Sequence, residues 1–143
     1  ERTPRWFNLD HFNGHPKITN WVCSTNFSEF APSDLMNGMG DILNLSRGPL
    51  EWKITVPKDG KLPYEGAVPA LIDWGGSKHP TDTLKETGCR MKKIRIKHKF
   101  ATNLRSSLSG LLSDQRIEFV CTSGAGSYEL WIETPQNGIV IIK

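Results

Sequence analysis

The chain has 143 residues, enough for one compact domain or two half-domains sharing a core. Its 18 Lys and Arg against 15 Asp and Glu leave a net charge of +3, too small by itself to mark a nucleic-acid binder. No apolar run approaches membrane-span length; the most apolar, 139–142, is strand-sized.

Three widely spaced cysteines, Cys23, Cys89 and Cys121, exclude a Cys-x-x-Cys metal knuckle and a disulfide framework. They read as buried, reduced thiols of a cytoplasmic protein. The N-terminus carries no signal-peptide pattern, and a start at Glu1 without methionine suggests a processed or shortened product.

Residues 1–17 mix polar, Gly and Pro signals with Trp6, Phe7, Leu9 and Phe12, and read as an irregular arm whose aromatics dock on the domain. Ile18–Ser24 is the first expected strand. Apolar spacing at Phe27, Phe30, Leu35 and Met39 predicts a short helix over 26–39, broken by Pro32 and Gly38. Two strands, 41–46 and 50–56, flank a tight Arg47-Gly48-Pro49 turn; Trp52, Ile54 and Val56 alternate with Glu51, Lys53 and Thr55. Ala67–Trp74 reads as a strand covered on both faces, with Pro69 leaving part of one edge unpaired.

After a linker at 75–88, Cys89–His98 reads as a strand with Ile94 and Ile96 on one side and Lys93, Arg95 and Lys97 on the other. Leu104, Leu108, Leu111 and Leu112 predict a helix over 102–112. Strands follow at 116–121, 127–134 and 138–142, the last two joined by a turn ending in Asn137-Gly138. One element order therefore occurs twice, over 18–74 and 89–142. The expected fold is α+β, two βαβββ modules (18–74 and 89–143) paired into one cupped mixed sheet.

Several segments resemble glyoxalase-like domain proteins of the vicinal-oxygen-chelate superfamily, which also holds bleomycin-resistance proteins and dioxygenases. They are Arg5-Trp6-Phe7 through Asn20-Trp21, the run Trp52 to Pro57, and Gly88-Cys89-Arg90 with the strand ending in His98. Glu133-Thr134-Pro135 adds to them, and the most specific is Val68-Pro69-Ala70-Leu71-Ile72-Asp73-Trp74 followed by His79-Pro80. The resemblance implies paired βαβββ modules around a concave sheet, often with a central metal, and lyase or dioxygenase chemistry by analogy of fold. Relatives usually carry an upstream module opening with an Asp-His pair; its lack here implies a shortened version. The Arg47-Gly48-Pro49 turn is also tighter than their usual hairpin.

A metal centre needs His, Gln or Glu donors at the opening and closing strands. The first opening strand offers none, and the second offers Lys93, Arg95 and Lys97, with His98 at its end. No cofactor is therefore expected, a divalent metal being the minor alternative. His11 and His15 lie in the arm and read as solvated. Asp73, His79 and His98 are the weak catalytic candidates, each set against a structural role: Asp73 anchoring the Gly75-Gly76 turn, the histidines capping loops.

Lys93, Arg95 and Lys97 should stand opposite Glu129 and Glu133 with Trp131 among them. These six residues read either as a solvated ion-pair lattice or as a site for a small, anionic ligand. The basic stripe 92–99 makes nucleic acid a weaker option. The expected partner is a small molecule, with a homodimer as an option and no membrane. The alternative is a non-catalytic interaction or assembly subunit that kept the scaffold.

Overall fold

The computed structural model describes residues 4–29, 38–76 and 78–143. The chain divides into two compact units: residues 1–14 with 20–84, and residues 15–19 with 85–143. The boundary differs from the expected one. Residues 15–17 leave the arm for the second unit, and most of the expected linker, 75–84, stays with the first.

The first unit holds β1 (Val22–Ser24), β2 (Asp41–Arg47), β3 (Leu50–Val56) and β4 (Ala70–Asp73) in a mixed sheet ordered β1-β4-β3-β2. Strand β1 starts four residues later than expected, at Val22; of the residues it leaves out, 18 and 19 belong to the other unit. Residues 27–29 form a turn, and most of the helix expected over 26–39 lies outside the described residues.

Arg47 pairs with Leu50, so Gly48 and Pro49 alone make the hairpin loop. Gly48 at φ 59° supplies the left-handed step that a two-residue loop needs. Strand β4 is shorter than expected because Pro69 has no N–H; the ladder opens at Ala70, which donates to the Trp21 carbonyl at 3.1 Å.

On one face of this sheet Ile54, Val56, Leu62 and Ala70 form a buried cluster, with Trp6, Phe7, Leu43, Leu45, Trp52 and Ile72 packed against it. Trp6 and Phe7 of the arm thus dock where the alternation of β3 puts its apolar side, whereas Phe12 is exposed. Thr55, on the opposite side of β3, is 1% exposed, and its Oγ1 accepts the Leu71 N–H at 2.9 Å. That bond extends the β3–β4 pairing past its two ladder positions.

The second unit holds β5 (Arg90–Lys97), helix α1 (Ala101–Ser107), β6 (Ile117–Val120), β7 (Ser127–Thr134) and β8 (Gly138–Ile142), with the sheet ordered β6-β5-β7-β8. Helix α1 lies against β6 and buries Ala101, Leu104 and, at its C-cap, Leu108. It ends short of the expected Leu112. Ser109 Oγ donates back to the Ser106 carbonyl at 2.7 Å, and Gly110 follows, both of which disfavour another helical turn. The described β8 is exposed along its whole length.

The protein is therefore α+β, with two four-stranded mixed sheets in βαβββ-like units. Among the described residues each unit holds four strands, but the order of the strands within the sheet differs. In the first unit the last strand returns beside the first, parallel to it; in the second the strand after the helix takes that place. Connection length explains the difference. The long link 57–69 lets β4 cross back to β1, whereas the tight turn 135–137 confines β8 to the free edge of β7. No helix among the described residues is long and apolar enough to cross a membrane.

Candidate functional site

Strand register brings Asn44, Lys53 and Asp73 into one row across β2, β3 and β4, with Ser46 and Glu51 in the next row. These residues line a cleft of about 470 Å³, together with Trp52 and Trp74. A second cleft of about 430 Å³ shares Lys53, Asp73 and Trp74 and is walled by Ser24, Thr25 and Asn26. Trp52 and Trp74 pack with ring centroids 5.4 Å apart at 41°, and His79 meets Trp74 edge-on at 5.1 Å. The indoles pack against one another on the side of β3 that carries Ile54 and Val56, opposite Lys53.

Asp73 is central to both clefts. Its Oδ1 accepts the Gly75 N–H at 2.7 Å and its Oδ2 accepts the Phe27 N–H at 3.0 Å. These two backbone bonds, the Phe27 one foremost, hold its pKa below the ordinary 3.8, with the Lys53 charge adding to the effect. Asp73 is thus an ionised acceptor at neutral pH. The expected anchoring of the Gly75 turn is present, and so is a place in a cleft.

The two histidine candidates have structural partners. His79 Nδ1 accepts the Thr81 N–H at 3.2 Å and caps the 3-10 turn Pro80–Asp82. His98 belongs to the second unit, is buried, and accepts the Phe100 N–H on Nδ1 at 3.1 Å as the chain enters α1. The thiols depart from expectation: Cys23 is half-buried while Cys89 and Cys121 are exposed, since the latter two lie just outside the ends of β5 and β6.

In the second unit Lys93, Arg95 and Lys97 share a sheet face with Glu129 and Trp131. Arg95 bonds Glu118 at 3.1 Å and Glu129 at 3.2 Å, and Lys97 pairs with Glu129. Lys93 pairs with Glu118 at 2.7 Å. The Arg95 guanidinium lies 4.8 Å from the Trp131 ring centroid. Glu133 is engaged by Lys92, at the register irregularity after Met91, at 3.3 Å. Glu118 is the member that sequence reading missed. It joins the lattice through the parallel β5–β6 register, which sets it beside Arg95. Lys93 and Lys97 are the leading causes that lower the pKa values of Glu118 and Glu129 respectively.

The vicinal-oxygen-chelate fold often carries a metal. Among the described residues no three His, Cys, Asp or Glu side chains gather as its donors, and the residues present do not fit one.

The family model of the glyoxalase-like domain matches residues 1–112, a span that ends ahead of β6, β7 and β8. No curated protein and no solved structure matches the chain. The match covers most of the sequence, including every residue named above as lining the clefts of the first unit: the chain belongs to the glyoxalase-like domain family of the vicinal-oxygen-chelate superfamily.

Proposed function

We propose that this glyoxalase-like domain is a small-molecule-binding module whose site is the cleft along Asn44, Lys53 and Asp73 of the first unit. One observation carries the reading: a row of polar side chains in register across three strands that lines a cleft. Its volume of about 470 Å³ falls within the roughly 300–1,000 Å³ typical of small-molecule sites. The cationic row of the second unit is a weaker candidate, because Lys93, Arg95 and Lys97 are each held by a carboxylate. The lyase or dioxygenase chemistry of the wider superfamily draws no support from the donor set.

The test is a fragment screen by two-dimensional NMR on labelled protein. Shifts are expected to concentrate at 44–46, 51–53 and 73–76. Shifts centred on 93–97 and 129–131 would move the site to the second unit, and a screen without saturable hits would remove the binding function.

A second reading, an interaction or assembly subunit, is favoured by β8. Its Ile139, Val140, Ile141 and Ile142 are 38–50% exposed on a strand that, among the described residues, pairs only with β7. Two copies joined along β8 would bury it. Sedimentation at rising concentration checks this: the wild-type chain should associate and Ile141→Lys should not. A monomer at every concentration removes it.

A further inference from the structure

We infer that Asn13 is a site of spontaneous covalent modification in the folded protein. Its side-chain amide closes on the Gly14 nitrogen and hydrolyses to isoaspartate, while the same dipeptide at Asn137-Gly138 is protected by the hairpin that contains it. Asn13 is not among the residues that line either cleft of the first unit.

The chemistry balances without a cofactor. The Gly14 nitrogen, having lost its proton to solvent base, attacks Asn13 Cγ. The N–Cγ bond forms, the Cγ–Nδ2 bond breaks, and Nδ2 leaves as ammonia. The cyclic succinimide then takes up a water. Opening at one carbonyl gives an ordinary aspartyl linkage; opening at the other sends the main chain through the former side-chain methylene. Nothing is oxidised or reduced. A glycine after the asparagine makes ring closure fast, because a Cβ on the attacking residue would crowd the ring. The sequence holds Asn-Gly at 13, 37 and 137, and Asn37 lies outside the described residues.

The other two pairs differ in what holds them. Ring closure needs the glycine nitrogen to swing over the asparagine side chain, so the backbone between them must be free to turn. Asn13 and Gly14 lie in a run, 11–17, that is exposed at every position. Neither belongs to a helix or a strand, and neither takes part in a hydrogen bond among the described residues. A Cβ at Gly14 would meet no atom within 4 Å, so nothing packs against the reacting peptide there.

Asn137 is exposed too, but it is held on both sides. Its N–H donates to Thr134 Oγ1 at 3.1 Å, and the same hydroxyl donates to the Gly138 carbonyl at 3.1 Å. Gly138 is already the first residue of β8, opposite Thr134 in the β7–β8 ladder. Turning this peptide to bring its nitrogen to Cγ breaks those bonds and the register they set. The position of Asn13 also matters. Residues 1–14 group with the first unit and 15–19 with the second, so the altered linkage falls where the chain passes from one to the other, outside both sheets.

The experiment ages the full chain at mildly alkaline pH, digests it with trypsin and follows isoaspartate by mass spectrometry. The three Asn-Gly pairs fall in separate peptides, 6–17, 18–47 and 117–143, and fragmentation of the first separates Asn13 from Asn8. Isoaspartate should accumulate at Asn13 about tenfold faster than at Asn137, or more, and faster still as rising pH removes the proton from the attacking nitrogen. In concentrated urea the two sites should react alike, since only the fold separates them. Asn13→Gln should remove the isoaspartate from 6–17. Equal rates in the folded chain, or a faster Asn137, overturn the inference. A difference that persists in urea overturns it as well, because neighbouring residues and not the hairpin would then set the rates.

Discussion

Phe27 donates its backbone N–H to Asp73 Oδ2 at 3.0 Å, across 46 positions of sequence. The same carboxylate accepts the Gly75 N–H at 2.7 Å, so one side chain at the end of β4 fixes the chain after β1 and the turn beyond β4 together. Asp73→Ala leaves both donors without this partner and should cost about 1–3 kcal/mol, read by urea denaturation. Asp73→Asn retains one oxygen acceptor and should cost less. Equal stability of Asp73→Ala and wild type would mean that water replaces the carboxylate at no loss.

Acid should unfold the protein through a defined set of carboxylates. Asp73, Glu118 and Glu129 have pKa values below their ordinary 3.8, 4.5 and 4.5. Asp114, chiefly through its Arg116 side-chain bond, is held at about 2. A lowered folded-state pKa means that the stabilisation is complete above the unfolded value and disappears as pH falls through the folded one. Melting temperature should therefore be level from neutral pH to about 4.5 and fall steadily towards pH 2. Asp114→Asn should melt lower at neutral pH and lose less on acidification; an acid limb identical to wild type would remove Asp114 from the set.

Thr55 is a buried hydroxyl with one job visible in the structure, accepting the Leu71 N–H at 2.9 Å. Thr55→Val keeps the shape and strands the donor, at a cost of about 1–3 kcal/mol. Thr55→Ser keeps the acceptor and should recover most of that loss. Thermal denaturation of the pair tests it: a valine variant as stable as the serine one would show that packing, and not the hydrogen bond, holds the position.

Gly40 precedes β2 at φ 86°, and a Cβ there would stand 2.1 Å from the Val56 carbonyl oxygen. Both the left-handed backbone and the contact with main chain forbid a side chain. Gly40→Ala should destabilise by about 3 kcal/mol or more. Gly48→Ala, at φ 59° but with open space around it, meets only the conformational penalty, about 1–2 kcal/mol. Chemical denaturation should rank the two in that order, and the reverse order would contradict the close approach of Gly40 to β3.

Local features were legible from the residues. Alternation in β3 placed Trp52, Ile54 and Val56 opposite Lys53 and Thr55, and alternation in β5 and β7 placed Arg95 facing Glu129 with Trp131 beside them. Resemblance at the Leu71-Ile72-Asp73-Trp74 segment identified the family. The cleft was only half visible: Asp73 stood out as a carboxylate closing an apolar strand, but nothing marked Asn44 or Trp52 as its neighbours.

The period of side chains along one strand is set by local backbone geometry, and the sequence by itself therefore determined the strands, their faces and their chain order. Which strands lie side by side depends on contacts between distant segments and on how far each connection can reach. Tertiary structure alone decided that β4 returns to β1, that β8 stays at the edge beyond β7, and that Glu118 joins Arg95 through a parallel pairing. It also decided that Asn44, Lys53 and Asp73, drawn from three strands, form one row, because a row across a sheet is a property of register and no single strand carries it.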